Sequence, residues 1–396
     1  MKAVLRTALS AISAVSLCGA LFGALGATSV AADIPIVPKA PQIASSSYIL
    51  VDAGSGKVLA EQSADETLPP ASLTKIMTSF VAATELAAGR VSLADQVPIS
   101  VKAWRMGGSK MFVREGTEVS LDELLKGVII QSGNDASVAV AEHIAGDELA
   151  FADMMNRQAK ELGMKLTNFR NATGLPDEEH YTTARDLAVL TDALIRRYPD
   201  HYETYAQRSF QFNDIPQTNR NRLLWRDKTV DGVKTGYTKA AGYCLVSSAL
   251  RDGQRLISVV MGTASDEARM RESQKLLSYG FRYFETRTLY SGGVTLKSAD
   301  LWYGTEDSVE LGITEDMIVT IPRGSSEDIV AEMRLPELIE APLEQGAELG
   351  ELRLTLGDEL IARAPLVVLT EAEEAGIFRR AWQGVVLFFT ELISGE

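Results

Sequence analysis

The sequence is poor in the side chains that build disulfides and metal sites, with two cysteines and three histidines among 396 residues. Cys18 lies in the N-terminal apolar run, so Cys244 alone remains once that run is removed, and no intramolecular disulfide can form. The histidines, His143, His180 and His201, have no metal-ligand spacing, and the HExxH and paired-cysteine patterns do not occur. We therefore expect a chain that is stabilised by an apolar core and uses no metal and no cofactor.

Positive charge is also scarce. The chain has 39 Lys and Arg residues against 53 Asp and Glu residues, which gives a net charge of −14. Because proteins bind nucleic acid largely by placing cationic side chains on the phosphates, this balance argues against a nucleic-acid partner.

The first 32 residues have a composition of their own. A basic start, a long apolar run and small residues ending at Ala32 are typical of a secretory signal peptide, residues 1–32, and predict an exported protein. A retained membrane anchor is the alternative, because the run is near the length that spans a bilayer. Lipidation is disfavoured because Leu17, before Cys18, is larger than lipoprotein processing accepts. Export predicts a location in the periplasm or on the outer face of the cytoplasmic membrane.

Residues 33–287 have the mixed pattern of an α+β domain. A hairpin pattern, "SSYILVDAGSGKVLAEQ", comes first, and "GYCLVSSAL" and "RLISVVMG" are apolar, β-branched strands near the end. Helical periodicity lies between and after them, at 72–88, 121–145, 149–163, 183–197 and 265–285. Strands at both ends with helices between them predict a mostly antiparallel sheet beside a helical cluster.

The pattern changes near residue 288. Short alternating strands punctuated by Gly and Pro occupy 288–370 and predict a small all-β sandwich domain.

The last segment, 371–396, contains "GIFRRAWQGVVLFFTELIS", which predicts an amphipathic helix. Its apolar half carries Phe378, Trp382 and Phe389, whereas Arg379 and Arg380 lie on the opposite half. This composition favours attachment to a membrane surface. The alternatives are packing on the β domain or on a second copy of the chain, and the oligomeric state is left open.

Ser72 and Lys75 are three positions apart in "LPPASLTKIMT". Pro69 and Pro70 break the preceding chain, so Ser72 is expected at the N-terminus of a helix with Lys75 on the same face. A serine hydroxyl becomes a strong nucleophile when a neighbour removes its proton, and a lysine can do this only while neutral. Taken alone, this motif is more commonly explained by an N-cap serine beside a solvated lysine.

Two further motifs favour the catalytic interpretation. Ser132 and Asn134 follow an apolar stretch in "IIQSGNDASV", and Lys234, Thr235 and Gly236 stand beside an apolar strand in "VDGVKTGYT". Taken separately, the first motif is typical of a helix N-cap and the second of an ordinary turn. In this order, however, Ser-x-x-Lys, Ser-x-Asn and Lys-Thr-Gly form the motif set of penicillin-binding proteins and class A β-lactamases.

Beyond the motifs, the chain resembles the serine-type D-alanyl-D-alanine carboxypeptidases, which are low-molecular-mass penicillin-binding proteins. The stretches "MNRQAKELGMKLTNFRNATGLPDEEHYTTARDLAVL", "QTNRNRLLW" and "VDGVKTGYTKAAGYCLVSSA" carry this resemblance over nearly the whole mature chain. It implies a transpeptidase/β-lactamase-like domain followed by a β domain. It also implies peptidoglycan stem peptides ending in D-Ala-D-Ala as substrates and β-lactams as inhibitors.

The resemblance implies catalytic roles for three residues. Ser72 attacks the carbonyl between the two D-alanines, Lys75 is the base, and Ser132 passes the proton to the leaving nitrogen. Asn134 holds the substrate amide and the Lys75 side chain.

The resemblance also implies how the substrate is bound. The Lys-Thr-Gly residues Lys234, Thr235 and Gly236, together with Arg220, bind the terminal carboxylate, and Lys234 helps to keep Lys75 neutral. The backbone N–H groups of Ser72 and Tyr237 form the oxyanion hole. Tyr237 stands where family members often have His, which leaves deacylation and substrate preference open. The loop "RMGGSKMFVREG", 105–116, is similar to the family's mobile loop.

Three other functions are compatible with parts of this pattern. A β-lactamase is disfavoured because Gly133 replaces the aspartate of Ser-Asp-Asn. A D,D-endopeptidase of the same clan is the nearer alternative. A non-catalytic wall-binding scaffold has no reason to keep all the motifs.

Overall fold

The computed structural model describes residues 36–394. The predicted signal peptide, residues 1–32, lies outside the described residues and stays a prediction. Ten α-helices run through the described chain: α1 (Thr74–Ala87), α2 (Val101–Arg105), α3 (Leu121–Lys126), α4 (Asn134–Ala145), α5 (Glu148–Glu161), α6 (Ala184–Arg197), α7 (Pro199–Tyr202), α8 (Leu223–Arg226), α9 (Asp266–Tyr283) and α10 (Ile377–Ser394).

The same residues form sixteen strands: β1 (Ser47–Asp52), β2 (Val58–Gln62), β3 (Gln96–Pro98), β4 (Glu118–Ser120), β5 (Ser209–Phe212), β6 (Ile215–Thr218), β7 (Val230–Thr238), β8 (Gly242–Arg251), β9 (Gln254–Thr263), β10 (Phe284–Tyr290), β11 (Lys297–Asp300), β12 (Ser308–Gly312), β13 (Met317–Pro322), β14 (Ile329–Arg334), β15 (Glu348–Leu356) and β16 (Glu359–Val368).

A five-stranded antiparallel sheet of order β2-β1-β9-β8-β7 organises the first part of the chain. Successive side chains of a strand point to opposite faces, so each central strand buries two apolar sets. Ile257 and Val259 pack with the helical cluster, whereas Leu256 and Val260 pack under α9. Both faces are therefore covered, and the predicted α+β class is confirmed.

The prediction of a single helix over 121–145 is wrong. The chain forms α3, a π-helical segment Gly127–Gln131, and then α4. Ser132 breaks the run because its φ of 64° is left-handed, a conformation that a helix cannot continue. The break matters for function because it turns Ser132 and Asn134 toward the start of α1.

The β region contains two sheets. One has five strands in the order β11-β12-β16-β15-β14, and the other pairs β10 with β13. The boundary predicted between 287 and 288 falls inside β10 and stays a prediction.

A buried carboxylate joins this region to the first sheet. Asp52 is fully buried and accepts hydrogen bonds from Gln254 Nε2 (2.9 Å) and from the Thr286 hydroxyl on β10. Ser55 Oγ lies 2.6 Å from Thr320 Oγ1 on β13. Unpaired polar groups are costly inside a protein, so this network favours one arrangement of the two parts.

Helix α10 lies against the β region by its polar side. Gln383 Oε1 accepts from the Tyr303 backbone N–H at 2.7 Å, and Arg379 pairs with Asp307 at 2.8 Å. The apolar side chains on the other side are exposed, with 90% of Phe378 and 68% of Trp382 accessible to solvent. Within residues 36–394, no helix is both long enough and apolar enough to cross a membrane.

Candidate active site

Ser72 lies in a 3₁₀ turn, Ala71–Leu73, that leads directly into α1. Pro69 and Pro70 restrict the chain before this turn, and α1 is anchored by apolar residues such as Phe80, which is fully buried. Strand β7 passes close by at Gly236, where a Cβ atom would lie 3.1 Å from the Pro70 carbonyl oxygen. Glycine at this position therefore lets the Lys-Thr-Gly strand approach the serine.

The amine of Lys75 is completely buried and contacts three oxygens. Its Nζ lies 3.1 Å from Ser72 Oγ, 2.8 Å from Asn134 Oδ1 and 2.5 Å from the Thr173 carbonyl oxygen. The two N–H groups of a neutral amine match the amide and carbonyl acceptors. Its lone pair is then left for the serine proton.

The environment of Lys75 favours this neutral form. Burial, followed by the positive charge of Arg220, lowers the pKa of Lys75 to about 7, although Asp135 and Glu148 oppose the shift. At neutral pH a large fraction of the amine is therefore ready to accept a proton. Arg220 is thus one cation that acts on Lys75, and Lys75 in turn lowers the pKa of Lys234, so the two lysines also act on each other.

Ser132 and Asn134 reach the site from the break between the π-helical segment and α4. Asn134 contacts Lys75 directly, whereas Ser132, 2% exposed, makes no side-chain hydrogen bond to Ser72 or Lys75 within residues 36–394. Lys75 thus contacts both Ser72 and Asn134, whereas Ser132 is placed near the site only through its position two residues before Asn134.

The glycine-containing loop at 105–116 is fastened to this break. Asn134 Nδ2 donates to the Gly107 carbonyl oxygen at 2.7 Å, and its backbone N–H donates to the Ser109 carbonyl oxygen at 2.7 Å. The next residue, the buried Asp135, accepts from the backbone N–H groups of Met111 (2.8 Å), Phe112 (2.8 Å) and Val113 (3.3 Å). Asn134 therefore connects this loop with Lys75.

Lys234 and Thr235 lie on β7 and are both buried. Burial, Lys75, Arg220 and Arg269 lower the pKa of Lys234 well below its ordinary value. Because buried like charges repel, the site disfavours full protonation of both lysines. An anionic carboxylate at this position would relieve the repulsion.

Arg220 and Tyr237 lie at the exposed edge of the site. Arg220 Nε donates to the Gln131 carbonyl oxygen at 3.0 Å, next to Ser132. Tyr237 is 54% exposed, and its ring packs against Tyr243 with centroids 4.3 Å apart and the planes tilted by 33°. Arg269 lies over Tyr243 and donates to the Gly236 carbonyl oxygen at 2.9 Å, which fixes the strand beneath Tyr237.

Sequence reasoning missed Thr173. It contributes a backbone carbonyl, which any residue type possesses, so no side-chain motif marks it. Its turn is closed by the Asn171 side chain, which accepts from the Thr173 N–H (3.1 Å) and the Gly174 N–H (2.7 Å). Gly174 has a φ of 81°, and a Cβ there would overlap the Ala71 carbonyl oxygen, so glycine is required.

A pocket of about 510 Å³ opens beside the chain that precedes Ser72, with Ala71, Gly174, His180 and Thr238 among its lining residues. Ser72, Lys75 and Lys234 do not line it, so it adjoins the catalytic groups without containing them. No group of three or more His, Cys, Asp or Glu side chains in the described chain has the arrangement of a metal site.

The fold and this site define a transpeptidase/β-lactamase-like protein, in which an antiparallel sheet lies beside a helical cluster and the Ser-x-x-Lys pair sits between them. The chain belongs to the D-alanyl-D-alanine carboxypeptidase family (Peptidase_S11), which matches residues 35–265. A second match, described as penicillin-binding protein 5, C-terminal domain, covers residues 284–374.

Relatives with known names are similar to this protein over most of its chain. D-alanyl-D-alanine carboxypeptidase DacC of Escherichia coli (strain K12) is 45% identical over 89% of this chain and 90% of its own length. The crystal structure of penicillin-binding protein 5 from Haemophilus influenzae superposes with a TM-score of 0.82 at 41% identity, covering 85% of this chain and all of that one. A D-alanyl-D-alanine endopeptidase of Escherichia coli (strain K12) is 32% identical over 60% of this chain and 78% of its own length.

Proposed function

We propose that this protein removes the terminal D-alanine from peptidoglycan stem pentapeptides through an acyl-enzyme on Ser72, and that penicillin inhibits it by acylating the same serine. Membership of the carboxypeptidase family supports the reaction and its substrate class. The observation that carries the mechanism is the buried Lys75 amine, 3.1 Å from Ser72 Oγ with its pKa lowered to about 7.

The first half-reaction transfers the acyl group to Ser72. Neutral Lys75 takes the hydroxyl proton as Oγ attacks the carbonyl carbon, and the backbone N–H groups of Ser72 and Tyr237 stabilise the oxyanion. The C–N bond then breaks, and Ser132 passes the proton from Lys75 to the departing amine. In the second half-reaction water attacks the ester and Ser72 regains its proton.

Substrate binding uses the cationic side of the site. Lys234, the Thr235 hydroxyl and Arg220 bind the terminal carboxylate, and the close approach of β7 at Gly236 aligns them. Asn134 binds the substrate amide while it holds Lys75. In this proposal, residues 33–287 form the catalytic domain that carries all of these side chains, and residues 288–370 form a β domain that follows it.

We also propose that α10, in the segment 371–396, attaches the exported enzyme to the outer face of the cytoplasmic membrane. Its polar side is engaged by Tyr303 and Asp307, whereas Phe378 and Trp382 are exposed. An apolar helix face of this kind is suited to the interfacial region of a bilayer. Deletion of 377–396 should move the protein from the membrane to the soluble fraction, and unchanged fractionation would exclude this attachment.

Mass spectrometry tests the acyl-enzyme directly. Incubation with penicillin should add the mass of the inhibitor to the protein and to Ser92→Ala, an exposed loop variant, but not to Ser72→Ala. A pentapeptide ending in D-Ala-D-Ala should release free D-alanine. Cleavage of cross-linked dimers without trimming would indicate an endopeptidase, and neither labelling nor release would indicate a scaffold.

A further inference from the structure

A loop from Arg170 to Thr182 folds over the start of α1 and carries the Thr173 carbonyl that contacts Lys75. Thr78 Oγ1 donates to the Ala172 carbonyl oxygen, directly before Thr173, at 2.7 Å, and Leu68 exchanges two backbone hydrogen bonds with Thr182 at the far end. These contacts fix one side of the loop at Ala172 and its end at Thr182, and further contacts hold the loop against the start of α1.

His180 supplies one such contact from inside the protein. The imidazole is 3% exposed, packs edge-on against Phe169, and lies with Nε2 2.9 Å from Thr74 Oγ1. The backbone N–H of Arg170 donates to Nδ1 at 3.4 Å. Because a backbone N–H can only donate, Nδ1 is the unprotonated nitrogen, and Nε2–H donates to Thr74.

This ring links the two ends of the loop to the helix that carries the catalytic pair. Arg170 and His180 are joined through Nδ1, and Nε2 fixes both to Thr74, the residue directly before Lys75. Thr74 also faces the loop at Gly174, where a Cβ would lie 2.9 Å from Thr74 Oγ1. Thr74 therefore packs against the same turn whose Thr173 carbonyl contacts Lys75.

The placement of that carbonyl affects the orientation of the base. A neutral amine that donates one N–H to Asn134 and the other to Thr173 must aim its lone pair at Ser72. If the Thr173 carbonyl moves, an N–H loses its acceptor and the amine is free to rotate away from the serine. Small displacements of reacting groups have large effects on rate.

We propose that His180 is a positioning residue for the acylation step, acting through Thr74 to hold the Thr173 carbonyl on Lys75. This inference rests on the proposed role of Lys75 as the base. His180 itself does not touch the substrate in this role, and its neutral ring serves as a fixed hydrogen-bonding bridge.

The test uses the full chain in detergent and measures acylation by a fluorescent penicillin under single-turnover conditions. Thr74→Val removes the hydroxyl with little change of shape, Thr74→Ser keeps it, and His180→Leu removes the ring nitrogens. Thr74→Val and His180→Leu should each lower the maximal acylation rate about 10- to 100-fold, with little change in the concentration for half-maximal rate. Thr74→Ser should restore most of the rate.

A double variant separates positioning from general loosening. If both residues act through one hydrogen bond, Thr74→Val with His180→Leu should be about as slow as either single variant. Folded variants that acylate at the wild-type rate, or effects that multiply in the double variant, would overturn the inference. Failure of the wild-type chain to acquire penicillin on Ser72 would instead overturn the proposed function.

Discussion

The Nζ atom of Lys75 lies 3.1 Å from the Oγ atom of Ser72, inside the protein and one helical turn further along the chain. At this distance the amine accepts the serine proton only when it is neutral. Because its pKa is lowered to about 7, the neutral fraction falls tenfold per pH unit below that value. Acylation by penicillin should therefore decline below about pH 7 and level off above it. Stopped-flow rates between pH 5 and 9 check this, and a midpoint near 10 would contradict it.

Arg220 should set part of this pH dependence. Its positive charge lowers the pKa of Lys75, so Arg220→Gln should raise that pKa and move the acid limb of the acylation profile to higher pH. Arg220→Lys retains the charge and should keep the midpoint nearer to that of the wild type. An unchanged midpoint in Arg220→Gln would show that burial alone determines the pKa. Arg220 is also proposed to bind the substrate carboxylate, so its replacement should lower the acylation rate at every pH. The midpoint of the pH profile, and not the rate itself, is therefore the quantity to compare.

Tyr237 should tolerate exchange for the histidine that family members often carry. The residue is proposed to act through its backbone N–H, and its ring points outward onto Tyr243. Tyr237→Phe and Tyr237→His should therefore acylate within about threefold of the wild-type rate, which is less than 1 kcal/mol in the barrier. A tenfold loss in both variants would mean that the phenol takes part in the reaction.

The buried Asp52 network should contribute measurably to stability. Thr286 donates to the Asp52 carboxylate from β10, and hydrogen bonds to buried charges are worth roughly 1.5–3 kcal/mol. Thr286→Val should lower the free energy of unfolding by about that amount. Thr288→Val, exposed on the same strand, is the matched control and should change it by less than about 0.5 kcal/mol. Urea denaturation of both variants measures the difference, and equal stability would show that Thr286 is not needed.

Membrane attachment should depend on apolar contact more than on charge. Arg379 and Arg380 are paired with Asp307 and Glu374 at 2.8 Å and 2.5 Å, so they offer little net charge to lipid. Binding to phosphatidylcholine vesicles should match binding to vesicles with anionic lipid and should persist at 0.5 M salt, about a 4–5 Å screening length. Phe378→Ser with Trp382→Ser should weaken binding in both. A strong dependence on anionic lipid would show that the arginines face the membrane.

Much of the fold was predictable because most helices and strands are packed in the form that their own pattern of apolar residues favours. The periodic segments 149–163 and 183–197 form α5 and α6, and the apolar strands form β8 and β9. The segment 121–145 was mispredicted because its apolar periodicity continues across a residue whose left-handed backbone interrupts the helix. Nothing in the identity of Ser132 marks that conformation, which packing imposes.

The sequence by itself determined the motif set, the order of the elements and the amphipathic tail, because these depend on residue type and spacing along one chain. The tertiary structure alone decided that Arg220 lies close enough to lower the pKa of Lys75, that Thr173 supplies a carbonyl, and that His180 bridges the loop to Thr74. Electrostatic effects and backbone contacts depend on distance in space, and folding brings together groups whose positions in the sequence give no sign of it.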